Sequence, residues 1–329
     1  MHAVLVLALT AALAATQPPQ AKSGPGGRDY THAGVRESSG GSGANAWYVF
    51  EPTGPRPRKA PLAVVMHGYY EFAGYDSFAK LIRHTVRKGN VVIFPRWQTD
   101  VAVPCPGPFD IEPCMTSAVR GIRGALAYLA ARPRARVQPD LRRTSYFGHS
   151  FGGIITADLA NRYRSLHLPK PRAIFLDDPH DGGLDGFDEP AVDDSLAGIP
   201  RTVLFECHSG SQGVIAGANM ANGSCNSIFP KLWRIPKRNK DLVMTRPDTH
   251  GTPALSSTHG VCATHGGVAD AYDWNFCWKV FDALRDCAYQ RRNCAYALGD
   301  TKAHRSNGRW SDGVRVAPLT IQDRAPLRP

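Results

Sequence analysis

The chain has 329 residues, 43% of them hydrophobic and 20% charged, a balance that excludes a fibre and a wholly disordered chain. Its length suits one large core or two modest ones. The net charge of +11 is spread along the chain without a basic block or a nucleic-acid motif, so nucleic acid is not an expected partner.

At the N-terminus, residues 3–15 form an apolar run too short to span a bilayer, with Ala12-Leu13-Ala14 as a small-x-small cleavage pattern. Residues 1–16 therefore read as a signal peptide and the protein as secreted, to the extracellular space or a periplasm. No other stretch has membrane-spanning length. The eight cysteines suit a disulfide framework in an oxidising compartment. Neighbour pairing (Cys105 with Cys114, Cys207 with Cys225, Cys262 with Cys277, Cys287 with Cys294) would close short loops, although the residues alone leave other connectivities open. No Cys-x2-Cys pair occurs, so no metal site is expected.

Residues 17–43 are rich in Gly, Ser, Pro and Gln and read as a flexible linker. A domain over 44–295 follows. Within it, apolar runs at 47–50, 62–66, 91–94, 144–147, 173–176, 202–205 and 242–244 suit strands buried on both faces. Between them, Phe78, Leu81, Ile82 and Val86 share one helical face, and Ser117 is placed to cap a helix carrying Ile122, Ala125 and Leu129. Further helices are expected over 154–159 and 274–284. This alternation predicts an α/β fold, a doubly wound and mostly parallel sheet with helices on both faces. Residues 209–240 exceed an ordinary connection and read as a lid insertion. Residues 296–329 read as an irregular extension.

The chemistry concentrates at Gly148-His149-Ser150-Phe151-Gly152-Gly153, between an expected strand and an expected helix. Such a junction lifts a serine hydroxyl clear of the sheet, and glycines on either side prevent collision with the neighbouring backbone. Ser150 is the expected nucleophile. An oxyanion hole needs two N–H groups; Phe151 follows the serine, and Tyr69 follows His67-Gly68 at the end of an earlier strand. His67 itself suits a loop-organising role. The base belongs on a loop after the last strand, where Thr-His-Gly recurs at His250, His259 and His265; His250 comes first and is preferred, with His259 the alternate. A three-histidine metal cluster is the rival reading, without helical spacing to support it. For the acid, the Asp-rich end of the 173–176 strand favours Asp178, then Asp177, with Glu206 as a third candidate. Tyr69, Tyr70, Phe72, Trp97 and Phe151 are expected near the pocket mouth and favour an apolar acyl or alcohol group.

The elbow followed by Leu176-Asp177-Asp178-Pro179-His180-Asp181-Gly182 resembles chlorophyllase, and the elbow is also similar to that of the platelet-activating-factor acetylhydrolase type. The resemblance runs over about residues 62–250. It implies an α/β-hydrolase fold, a cofactor-free serine esterase and a Ser150–Asp178–His250 triad. The cysteine-rich C-terminal third and the export signal depart from chlorophyllase and put chlorophyll in doubt as substrate. The expectation is a secreted, monomeric serine hydrolase acting on small, lipid or polymeric carboxylic esters. The rivals are an extracellular acyltransferase using the same residues and a non-catalytic binder on the same scaffold.

Overall fold

The computed structural model describes residues 14–71, 74–105, 110–179, 192–212, 225–264 and 268–326. A single nine-stranded sheet runs through it in the order β1-β2-β4-β3-β5-β6-β7-β8-β9. Its strands are β1 (Gly34–Gly40), β2 (Trp47–Thr53), β3 (Lys59–Met66), β4 (Val91–Pro95), β5 (Gln138–His149), β6 (Pro171–Asp177), β7 (Leu204–Gly210), β8 (Lys240–Thr245) and β9 (Thr320–Gln322). The six strands from β4 across to β8 run parallel, whereas β1, β2 and β9 add antiparallel edges. Val, Ile, Leu and Phe fill the central strands because both of their faces are covered.

The helices are α1 (Ala79–Arg87), α2 (Glu112–Ala130), α3 (Phe151–Asn161), α4 (Cys225–Lys231), α5 (Trp278–Gln290) and the short α6 (Lys302–Arg305). Apolar residues of α2, α3 and α4 pack with Val64, Met66, Tyr146 and Ile174 on one face of the sheet. Those of α1 and α5 pack with Val65, Phe147, Phe175 and Val243 on the other. The alternating side chains of each strand thus serve two cores, as a doubly wound sheet requires.

Three expectations change. Helix α2 starts at Glu112 with Pro113 in its first turn, and Ser117 is buried inside it rather than capping it. Residues 17–43 are not a loose tether. They contain β1, whose Arg36 reaches the fully buried Glu51 of β2 at 2.7 Å, and Gly26, whose N–H donates to Asp282 at 2.9 Å. The C-terminal extension is likewise ordered onto the sheet, because β9 pairs with β8 and Ile321 is buried. Of the residues read as a signal peptide, 1–13 lie outside the described residues, while the carbonyl of Ala15 accepts the N–H of Thr252 at 2.8 Å. The middle of the expected lid, 213–224, also lies outside them.

All eight cysteines are paired, Cys105 with Cys114, Cys207 with Cys225, Cys262 with Cys277 and Cys287 with Cys294. Among the described residues no helix is long and apolar enough to cross a membrane.

Candidate active site

From β3 the chain moves outward to β4, then crosses back over β3 to form β5, from which it continues in the opposite direction to β6. The carboxyl ends of β3 and β5 therefore flank the point where strand order reverses, the place at which open α/β sheets hold their ligands. Met66 of β3 and Gly148 of β5 are register partners there. Just beyond them lie the Gly68 loop and Ser150.

Ser150 has φ 54° and ψ −129° between the end of β5 and the first residue of α3. For a residue with a Cβ this is strained backbone, costing about 1–3 kcal/mol and persisting only where its surroundings enforce it. The enforcement is visible in two backbone bonds: Ser150 N–H donates to the Asp177 carbonyl at 2.9 Å, and Gly153 N–H donates to the Ser150 carbonyl at 2.8 Å. The glycines are compulsory for contact reasons. A Cβ on Gly152 would sit 2.1 Å from the His67 carbonyl oxygen, and one on Gly148 would sit 2.5 Å from the Gly152 carbonyl oxygen. Gly152→Ala is accordingly expected to cost about 1–3 kcal/mol of stability through overpacking against backbone. Urea unfolding monitored by tryptophan fluorescence measures it, and an unchanged midpoint would contradict the packing described.

The loop after β3 is pressed onto the serine, since a Cβ on Gly68 would lie 3.1 Å from the Ser150 Cβ. His67 is fully buried, bonds the Gly68 carbonyl through Nδ1 at 2.7 Å, and stacks on Trp97 with 4.5 Å between ring centres. Burial pushes its pKa down to about 4, so it is a neutral brace for the loop. Tyr69 lies against Phe151, ring centres 5.3 Å apart, and its hydroxyl donates to the Val101 carbonyl. Tyr70 is exposed, whereas Trp97 is buried and stacked against Phe151. Phe72 lies outside the described residues.

Each of the three carboxylates considered for the acid bonds imidazole, and no imidazole is shared between them. Asp178, in the left-handed region at φ 43°, receives His259 Nδ1 at 2.7 Å. Asp177 receives His149 Nδ1 on one oxygen and His208 Nδ1 on the other, both at 2.7 Å. Glu206 receives Nε2 of His304, from α6 of the C-terminal extension, at 2.9 Å. The backbone explains the division. Successive residues of a strand end point to opposite sides, so the adjacent aspartates serve different partners. Glu206, four residues before the end of β7, is too deep in the sheet to face the elbow.

His250 does not reach the carboxylates beside the elbow. His250 is half-exposed on a loop that the Asp248–Leu255 pairing closes off, and its Nε2 bonds Asp312 at 2.6 Å. Asp248 is itself held by Trp310 and by the Ala317 N–H. After this excursion the chain returns along the end of β7, where Gln212 N–H donates to the Ser257 carbonyl at 2.7 Å. That return brings His259 to Asp178, and its ring centre to 4.6 Å from that of His149, the residue preceding the serine. The structure thus brings His259 to Asp178, beside the residue that precedes Ser150, and leaves His250 apart. His265 lies outside the described residues.

Two side chains of the site were not singled out from sequence. Glu71 accepts the Gly68 N–H at 2.6 Å; its spacing, three residues after a loop glycine, is the reach-back distance of a capping carboxylate and was the available signal. His149 is the other. Burial would lower its pKa, but the charges of Glu71, Asp177 and Asp178 outweigh that and push it up to about 9. Burial opposes ionisation of Asp177 too, yet His149 and His208 hold it well below the usual carboxylate range. The signs set a pH window. The stabilising charge on His149 is fully present below about pH 6.5 and is lost as pH rises through 9, on the order of 3 kcal/mol. That on Asp177 is present above about pH 4 and is lost on acidification. The joint contribution of these two groups is therefore largest between about pH 4 and 6.5, and wild type is expected to lose more of its denaturant midpoint between about pH 6.5 and 9 than His149→Gln does. An alkaline fall of equal slope in that variant would contradict the assignment.

Asp177, His208 and Cys262 bring potential metal-ligating atoms within 4.8 Å of one another. The set does not fit an ion: the Cys262 sulfur is bonded to Cys277, and both Asp177 oxygens are taken by imidazoles.

The sequence matches no protein-family model and no curated protein.

Proposed function

We propose that this protein is a serine hydrolase of the α/β-hydrolase kind that cleaves carboxylic esters, with Ser150 as nucleophile, His259 as general base and Asp178 as the acid that orients it. The observation that carries the reading is the strained Ser150 at a strand–helix junction, at the sheet's switch point, with a part-buried Asp178–His259 pair next to the preceding residue, His149. With Nδ1–H donated to Asp178, the lone pair of His259 lies on Nε2, the atom that must take the serine proton. Nε2 removes the proton from Ser150 Oγ as Oγ attacks the ester carbonyl. The N–H groups of Tyr69 and Phe151 hold the resulting oxyanion. Collapse breaks the bond to the alcohol, which leaves with the proton from Nε2. Water, deprotonated by the same nitrogen, then attacks the acyl-enzyme and releases the carboxylic acid.

Four disulfides support an oxidising compartment and hence a secreted enzyme. The exposed Tyr70 and the Tyr69–Phe151 pair favour an apolar group on the substrate, whether small ester, lipid or polymer. The test is hydrolysis of p-nitrophenyl esters of increasing acyl length by the purified protein. Saturable turnover with a chain-length optimum is expected. Absence of turnover on every ester, with acyl transfer to an added alcohol absent as well, would overturn the reading.

A further inference from the structure

We propose that Asp177 is a positioning residue, the knot that ties the nucleophile elbow to the loop bearing the base. The inference rests on the reading of Ser150, His259 and Asp178 given above. It starts from a feature that chemistry at Ser150 does not use: a continuous buried chain of polar side chains running beneath the site.

Asp177 touches the elbow twice. Its carbonyl receives the Ser150 N–H at 2.9 Å, and Oδ2 receives His149 Nδ1 at 2.7 Å. Oδ1 receives His208 Nδ1 on the neighbouring strand β7, also at 2.7 Å. From there the chain goes on. His208 Nε2 meets Thr245 Oγ1 at 2.9 Å, and Thr245 Oγ1 meets Ser257 Oγ at 2.7 Å. Ser257 lies two residues before His259. Its hydroxyl donates to the Thr245 carbonyl at 2.7 Å, and its N–H donates to the Gln212 side chain at 3.0 Å. Asp177, His208 and Thr245 are all fully buried.

Such a chain is expensive to bury, and well-packed apolar side chains of the same volume would generally be at least as stable. What apolar contacts lack is direction. Hydrogen bonds fix the height and rotation of each strand end, and a buried network acts as a unit. Here the unit spans β5, β6, β7 and β8, whose carboxyl ends carry or lead into Ser150, Asp178 and the His259 loop. The Asp178–His259 bond orients the base. The Asp177 chain sets where the base's loop stands relative to the serine. The adjacent aspartates thus divide the work, one orienting the imidazole and the other holding the frame.

The experiment compares wild type, Asp177→Asn, Thr245→Val and the double variant, each checked by near-UV circular dichroism. The readouts are kcat and KM on p-nitrophenyl butyrate and the rate of Ser150 labelling by a fluorophosphonate. Asp177→Asn is expected to lower kcat about 10- to 100-fold with KM within about twofold, the effect of misplacing reacting groups by about an ångström. Thr245→Val, which keeps the carboxylate and both imidazoles, is expected to lower kcat about threefold to tenfold, and the double variant is expected to be no slower than Asp177→Asn alone, since both cut one chain. Labelling rates are expected to fall in parallel. Should Asp177→Asn fail to fold, Thr245→Val decides the matter by itself. A folded Thr245→Val that turns over and labels at the wild-type rate, or losses that multiply in the double variant, would overturn the proposal while leaving the triad standing. A wild type that neither hydrolyses nor labels would instead overturn the reading of Ser150, and the proposal with it.

Discussion

Ser150→Ala is expected to reduce ester turnover by about a millionfold, to the residue that binding and the oxyanion donors alone sustain. The size follows from the mechanism. Without Oγ there is no acyl-enzyme, and His259 has no proton to take. The fold is expected to survive, because alanine carries the same Cβ into the same φ of 54° and the backbone bonds from Ser150 N–H and Gly153 N–H are kept. Initial rates on a p-nitrophenyl ester, with circular dichroism of the same sample, give the answer. A folded Ser150→Ala retaining more than about a hundredth of the activity would remove Ser150 from the role.

The second large effect separates two histidines in the same Thr-His-Gly setting. His259→Ala is expected to cost about 10,000-fold or more in kcat, since it removes both the base and the acid that protonates the leaving alcohol. His250→Ala is expected to leave kcat within about twofold, because its bond to Asp312 is an exposed surface pair. Asp178→Asn belongs with the first: it forces the wrong imidazole tautomer and is expected to cost about 10,000-fold. Parallel kinetics on the three variants measure this. Loss at His250 with retention at His259 would reverse the assignment.

The central strands were legible because a doubly covered sheet leaves an unmistakable run of Val, Ile, Leu and Phe, as at residues 62–66 and 91–94. Both edges escaped for the opposite reason. Gly34–Gly40 has no apolar run, and its place is set by pairing with β2 and by Arg36 reaching Glu51, a contact no local pattern announces. Thr320–Gln322 offers only Ile321 to the core. In the site, the elbow was legible because its chemistry is compressed into consecutive residues. Choosing among repeated histidines was not, because distance along the chain stood in for distance in space. The Asp248–Leu255 pairing breaks that equivalence by looping His250 away before the chain comes back to Asp178. The adjacent aspartates were likewise inseparable in sequence, since what distinguishes them is which side of a strand end each one faces.

If His259 activates Ser150, the serine reacts with a fluorophosphonate only when that imidazole is present. The most direct measurement is intact-protein and peptide mass spectrometry after exposure to a fluorophosphonate, for wild type and His259→Ala. Activation by His259 predicts one adduct on wild type, mapped to Ser150, and its near-absence in His259→Ala. An unlabelled wild type, an adduct at another residue, or equal labelling of the two proteins would contradict it.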